Sequence, residues 1–129
     1  MRLERRLHLL YFDYTRIVEA TVMEETEVIR SLAALAQPVR LQVFRALVVN
    51  GRAGLTPGTI AEALDIPPNT LSFHLKELTN AGLVTQERSS RNIIYRASFD
   101  RMNALLGYLT DNCCQGSACV VTEVSACSC

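Results

Sequence analysis

Apolar residues in the second quarter of the chain recur at the spacing of one helix face, which predicts two consecutive helices. The first begins at the acidic residues from Glu24 onward, because carboxylates oppose the positive end of a helix dipole. The second opens at Pro38 and ends at Asn50-Gly51, since proline suits a first turn and glycine a C-terminus. The predicted inward residues are Val28, Leu32, Leu35 and Ala36 in the first helix, and Val39, Val43, Phe44 and Leu47 in the second.

The centre of the chain predicts two short helices in tandem. Thr56 followed by Pro57 is an N-cap and first-turn pair. Pro67-Pro68 breaks this helix, because a residue before proline is pushed out of the helical region, and Asn69 is expected to cap the next helix. The predicted inward residues are Ile60, Ala61, Leu64, Leu71, Leu75 and Leu78. Two helices separated by a tight turn, the second rich in polar residues, are typical of a helix-turn-helix.

The region that follows predicts a hairpin and one more helix. Residues 83–88 and 92–97 form two short strands around the turn Ser89-Ser90-Arg91. Ser98 is expected to cap a final helix that runs to about Asn112. Its apolar face consists of Phe99, Met102, Leu105, Leu106 and Leu109. An exposed part of that face would form a dimer seam; the alternative is that the face only packs on the core. The fold class is therefore mainly α with a β-hairpin wing, a winged helix-turn-helix.

Length and composition indicate one globular domain with flanking segments. The chain has 129 residues, 49% hydrophobic, with 13 basic and 13 acidic side chains. We expect an N-terminal arm or helix at residues 1–22, the winged domain at 23–112 and a cysteine-rich tail at 113–129. The sequence has no run of about 20 apolar residues and no secretory cleavage site, so we expect a cytoplasmic protein without a membrane partner.

All cysteines fall in the last seventeen residues, and the first 112 residues have none. They are Cys113, Cys114, Cys119, Cys127 and Cys129. A secreted disulfide framework would scatter its cysteines through the fold and usually use an even number. In a reducing cytosol the cluster indicates a soft-metal or redox site. Incidental thiols in a frayed tail are the alternative.

The helix-turn-helix and hairpin are more basic than the rest of the C-terminal half. Residues 69–101 carry a net charge of +2, which suits contacts to phosphate, although a solvated face would look the same. The candidate DNA contacts are Asn69, Thr70, Ser72, Phe73 and Lys76 on the outer helix face, flanked by His74, with Arg88, Arg91 and Arg96 in the wing. Hydroxyls and amides can bond to base edges, and Phe73 suits a thymine methyl group.

Three runs of sequence carry a family resemblance. Residues 36–41 (AQPVRL), 69–78 (NTLSFHLKEL) and 81–84 (AGLV) resemble the ArsR/SmtB family of metal-responsive repressors. With the wing, the resemblance covers about residues 26–112. It implies a homodimeric winged-helix repressor that binds double-stranded operator DNA and releases it when an inducer ion binds. Ser90 stands where members often carry a wing glycine.

The family places inducer sites at several positions. Residues 60–64 hold no thiol, so the paired-cysteine site of the classical arsenic sensors is absent. The last helix has Asp100 and Asp111 but no histidine for a zinc site. Residues 112–119 resemble variant arsenic repressors whose thiols follow the last helix. The resemblance implies As(III) or Sb(III) as inducer ligand on Cys113, Cys114 and Cys119, with no catalytic cofactor. Three roles stay open for Cys127 and Cys129: a further ligand, scavenging of metal, or none.

Two other functions fit parts of the sequence. A thiol redox switch on the same repressor would form a disulfide at Cys113 or Cys114 under oxidant. A thiol-dependent reductase is disfavoured, because neither His8 nor His74 is near the cysteines in sequence. No phosphate loop or acid–base pair is present either, so we expect that the protein is not an enzyme.

Overall fold

The computed structural model describes residues 23–111. The elements, in chain order, are α1 (Glu25–Leu35), α2 (Pro38–Asn50), a 3-10 turn (Gly51–Ala53), α3 (Pro57–Leu64), α4 (Pro68–Asn80), β1 (Val84–Ser89), β2 (Asn92–Ala97) and α5 (Phe99–Thr110). This order confirms the mainly helical fold with a β-hairpin that the sequence predicts.

The junction between α1 and α2 is fixed by side chains of the loop and of the first turn of α2. The Gln37 side chain accepts a hydrogen bond from the Arg40 N–H at 2.8 Å, which caps the start of α2. The Arg40 Nε donates to the Ala34 carbonyl at 2.7 Å, so a cation meets the C-terminal end of α1. These two bonds hold the helices at their shared corner.

The helix-turn-helix forms from α3 and α4, with one difference from the sequence prediction. The Thr56 hydroxyl accepts from the Thr59 N–H at 3.3 Å, and Pro57 opens α3, both as predicted. However, α4 begins at Pro68 with Pro67 as its N-cap, so the prediction that Asn69 caps this helix is wrong. Pro68 has a fixed φ and no N–H to satisfy, and the helix therefore starts two residues earlier than capping by Asn69 would place it.

The core is a set of mainly aliphatic side chains, most of them from α2, α3, α4 and the start of β1. Those less than 2% exposed are Val43, Leu47, Ile60, Leu71, Leu75, Leu78, Leu83 and Val84. The predicted inward face of α1 is partly wrong, because Val28 is buried whereas Leu32 is 41% exposed and Ala36 is also exposed. Ser31 is fully buried instead. A small side chain there suits the close approach of α1 to two of the helices it packs against, α2 and α4.

The hairpin is antiparallel and runs in register from Val84 opposite Ala97 to Ser89 opposite Asn92. Its two-residue turn is Ser90-Arg91, with Ser90 at φ 56. β1 begins and ends one residue later than predicted, since the N–H of Leu83 donates to the carbonyl of Leu78 and belongs to the turn that closes α4.

The second hairpin strand is attached to the loop before α3. The Leu55 N–H donates to the Tyr95 carbonyl at 2.9 Å, and the Tyr95 N–H returns a bond to the Leu55 carbonyl at 2.8 Å. The Arg96 Nε donates to the Arg52 carbonyl at 2.7 Å. The wing is therefore fixed to the body along one edge of β2.

Helix α5 returns across α1. The Ser98 hydroxyl accepts from the Arg101 N–H at 3.4 Å, as predicted, and the helix ends at Thr110 rather than at Asn112. Leu105 is buried with Met23 and Val28 in a second small cluster. Beyond it, Leu106, Tyr108 and Leu109 are exposed. No single helix within residues 23–111 is long and apolar enough to cross a membrane; α1 and α2 with its 3-10 turn meet the criterion only as a pair bent by 100°.

Candidate nucleic-acid interface

The outer face of α4 gathers most of the predicted contact residues. With Leu71, Leu75 and Leu78 in the core, the opposite side of the helix faces outward. The predicted contact residues that the structure exposes on this side are Asn69, Thr70, Ser72, Phe73 and Lys76. Four of these five side chains can form hydrogen bonds to base edges or phosphate, so this face has the chemistry of a recognition helix.

Ser72 and Phe73 differ from their neighbours on this face. The Ser72 hydroxyl donates its hydrogen to the Pro68 carbonyl at 3.0 Å. Its oxygen can therefore still accept a hydrogen bond from a ligand but cannot donate one. Phe73 is 56% exposed although its side chain is large and apolar. Since neither Ser72 nor Phe73 can donate a hydrogen bond to a ligand, the hydrogen-bond donors of this face are Asn69, Thr70 and Lys76.

His74 does not lie on this face. The structure buries its side chain to 7% exposure, and its Nδ1 has no hydrogen-bond partner among residues 23–111. Burial lowers the pKa of the imidazole, and the nearby Arg40 charge lowers it further, while Glu77 partly opposes the shift. The expectation that His74 flanks the exposed face is therefore wrong. Its position three residues after Leu71 and four before Leu78 is the sequence signal that could have placed it inward.

The lowered pKa of His74 predicts a loss of stability in mild acid. The unfolded chain takes up a proton near the ordinary value of 6.5, whereas the folded protein keeps the imidazole neutral to lower pH. The contribution of His74 to the free energy of unfolding is thus present above about pH 6.5 and lost as pH falls towards the lowered pKa. Urea unfolding of wild type and His74→Gln between about pH 7.5 and 5.5 measures it. The free energy of unfolding of the variant should change less with pH than that of wild type. The same pH dependence in both proteins would contradict the lowered pKa of His74.

The wing presents Arg88 and Arg91 to solvent. Both are exposed, Arg88 near the end of β1 and Arg91 in the turn. Successive side chains of a strand point to opposite faces, so Glu87 does not share a face with Arg88. Glu87 instead pairs with Arg96 at 2.6 Å. Among residues 23–111 neither Arg88 nor Arg91 forms an ion pair, whereas Arg96, also considered as a contact from the sequence, has partners within the protein.

The sequence did not reveal that Arg101 of α5 contacts both α1 and the turn after α4. The Arg101 Nη1 lies 3.3 Å from Glu27 Oε1 of α1. The same guanidinium covers Gly82, where a Cβ would come within 2.7 Å of Arg101 Nη2. The N–H of Glu24 and then the Arg101 charge lower the pKa of the Glu27 carboxyl, which keeps the pair ionised. Arg101 thereby links the first and last described helices to the turn after α4.

Within residues 23–111 no three His, Cys, Asp or Glu side chains are grouped as metal ligands. Cys113, Cys114 and Cys119 lie outside the described residues, so the predicted inducer site has no structural description.

Comparison with known proteins places this fold in a family. Residues 35–87 match a family model described as a helix-turn-helix domain. The chain is 42% identical over 65 residues to the HTH-type transcriptional repressor SmtB of Mycobacterium tuberculosis, covering 50% of this chain and 46% of that protein. A homodimeric winged helix-turn-helix DNA-binding domain from Mycobacterium bovis, a possible ArsR-family regulator, superposes with a TM-score of 0.54 at 30% identity, covering 67% of this chain and 81% of that one. The chain belongs to the ArsR/SmtB family.

A second solved structure is also similar to this chain. It is a possible transcriptional regulator for arsenical resistance, with a TM-score of 0.54 at 28% identity, covering 61% of this chain and 79% of that one. The chain spans about half the length of the curated ArsR/SmtB relatives it matches. The matched family model ends at residue 87 and therefore includes the whole helix-turn-helix.

Proposed function

We propose that the protein is a homodimeric transcriptional repressor that binds operator DNA and releases it when As(III) or Sb(III) binds the thiolates of Cys113, Cys114 and Cys119. The observation that carries the DNA-binding part is the exposed polar face of α4, from Asn69 to Lys76, on a winged-helix body. The relationship to the repressor SmtB supports the same function. No catalytic cofactor or enzymatic step belongs to this proposal.

The apolar surface of α1 and α5 supports the dimer. Ile29 and Leu32 of α1, and Leu106 and Leu109 of α5, are 41% to 57% exposed. Large apolar side chains on neighbouring helices are typical of a surface that is covered in the assembly. The M. bovis relative is itself homodimeric. A dimer presents two copies of α4 and would therefore bind an inverted repeat whose half-sites lie about 34 Å apart.

The cysteine-rich tail supports the metalloid part of the proposal. Thiolates select soft ions over hard ones, and three of them suit the pyramidal coordination of As(III) or Sb(III). Cys113 follows the end of α5 at Thr110 by three residues. An ion bound there would change the end of α5 beside the proposed dimer surface. The resulting change in the spacing of the two recognition helices would weaken operator binding by about 5–150-fold.

Fluorescence anisotropy of a labelled operator fragment tests the proposal. The fragment is drawn from the DNA upstream of the gene, and the protein is kept strictly reduced. Arsenite, antimonite and zinc are titrated separately on wild type, on Cys113→Ser and, as a control, on Cys127→Ser. We expect arsenite or antimonite to release the DNA from wild type and from Cys127→Ser, and Cys113→Ser to stay bound.

Other outcomes separate the parts of this proposal. Tight operator binding that none of the three ions affects would contradict a metalloid inducer, and it would still agree with a repressor function. Release by peroxide without metalloid then identifies the thiol redox switch instead. A wild-type protein that does not distinguish the operator from unrelated DNA contradicts the repressor itself.

A further inference from the structure

Phe73 is the one large apolar side chain exposed on α4. Its exposed neighbours on the helix are the polar residues Asn69, Thr70, Ser72 and Lys76. The remaining large apolar side chains that are exposed in the described part belong to α1, α2, α5 and β2. An aromatic ring among polar groups on one helix face does not form an apolar patch of the kind that protein interfaces use. Its surroundings point to a ligand that is polar apart from a small apolar group.

The major groove of DNA has that character. Base edges there present hydrogen-bond donors and acceptors, and the one apolar group is the C5 methyl of thymine. A phenylalanine ring has no hydrogen-bonding group, so it gains nothing from the polar edges and excludes water from a methyl group. We propose that Phe73 is a specificity-determining residue that contacts a thymine methyl group in each operator half-site. This inference rests on the proposed DNA-binding function and adds the base that one residue reads.

The neighbour of Phe73 within the helix restricts its ring. The Phe73 and His74 ring centroids are 5.5 Å apart with an interplanar angle of 65°, an edge-to-face arrangement. His74 is buried, so the packing of its ring limits the positions that the neighbouring Phe73 ring can take. Phe73 therefore meets DNA with a partly fixed ring, which reduces the side-chain entropy lost on binding.

The proposed contact of Phe73 can be removed by changing the DNA and leaving the protein unchanged. Replacing thymine by uracil deletes the C5 methyl and keeps every hydrogen-bonding atom of the base. Burial of one methyl group contributes about fourfold in affinity. A symmetric dimer makes the contact twice, so removing both methyl groups should weaken binding about 15-fold.

The test uses the full-length reduced protein and a duplex enriched from random-sequence DNA by binding to it. Each thymine of the enriched site is replaced by uracil, symmetrically in both half-sites, and the dissociation constant is measured by anisotropy. We expect one symmetric pair of positions to show the 15-fold loss. Phe73→Ala should bind the thymine duplex more weakly and bind the thymine and uracil duplexes equally. Leu41→Ala, which truncates an exposed apolar residue of α2, should retain the wild-type ratio.

Two results overturn the inference while leaving the repressor intact. One is a wild-type protein for which no uracil replacement changes affinity by more than twofold. The other is Phe73→Ala that still distinguishes thymine from uracil at the same positions. Failure to enrich any sequence from the random pool would instead contradict the proposed function, together with the inference that rests on it.

Discussion

Replacing Gly54 by alanine is expected to lower the free energy of unfolding by roughly 3 kcal/mol, the largest loss among the single substitutions considered. Gly54 has φ 74, and an added Cβ would lie 2.5 Å from Ile94 Cγ2 and 2.8 Å from the Tyr95 carbonyl oxygen. The second contact is with backbone, which cannot turn aside as a side-chain end can. The bonds between Leu55 and Tyr95 hold that backbone in place. Urea unfolding followed by circular dichroism measures the loss.

Gly51→Ala is the matched control for Gly54→Ala. Gly51 has a similar φ of 70, and an added Cβ meets no atom within 4 Å. Its cost is therefore conformational alone, about 1–2 kcal/mol for a backbone with φ 70 and ψ −146, and Gly54→Ala should exceed it because of the added contacts. A loss as large for Gly51→Ala as for Gly54→Ala would contradict the close packing of the wing on this loop.

The combined substitution Arg88→Ala and Arg91→Ala is expected to weaken operator binding by on the order of a hundred- to a thousandfold at about 0.15 M salt. Both arginines are exposed, and neither has an ion-pair partner within residues 23–111. In a dimer the change removes four cations that would each meet a phosphate. The slope of log affinity against log salt concentration should become shallower by about 3.5, at about 0.9 for each phosphate contact.

A control variant with the same net charge distinguishes phosphate contacts of the wing from the effect of the overall charge of the protein. Arg30 and Arg45 are exposed on α1 and α2, and replacing both by alanine removes the same charge. We expect this control to leave the salt slope close to that of wild type. Anisotropy titrations at several salt concentrations compare the three proteins. An equal change of slope in both variants would show that the wing does not contact phosphate.

The sequence predicted the elements well because their ends carry strong local signals. Pro38, Thr56-Pro57 and Ser98 each determine a helix start through their own backbone or side-chain chemistry. At the start of α4 two such signals compete, and the fixed φ of Pro68 prevails over capping by Asn69. The two strands of the hairpin were predicted, but the turn is Ser90-Arg91 rather than Ser89-Ser90-Arg91, so β1 lies one residue later than predicted.

The residues that were misplaced are those whose environment depends on the packing of distant elements. The apolar stripe of α1 is wide, and the pattern could not tell that the helix turns Val28 and Ser31 inward and leaves Leu32, one turn after Val28, at its exposed margin. A polar residue type gave no reason to bury Ser31 or His74. The contacts of Arg96 with Glu87 and of Arg101 with Glu27 join residues that are far apart in the chain or in different strands. No local pattern predicts such pairs.

The attachment of the wing to Leu55 has a further consequence for the edges of the small sheet. Leu55 covers part of one edge of β2, and within residues 23–111 the outer edge of β1 is unpaired. An unpaired strand edge is a template for pairing with another molecule, and charged side chains oppose that pairing. β1 carries Glu87 and Arg88 in the middle of its exposed stretch. The hairpin can therefore project from the body toward a ligand without promoting aggregation between molecules.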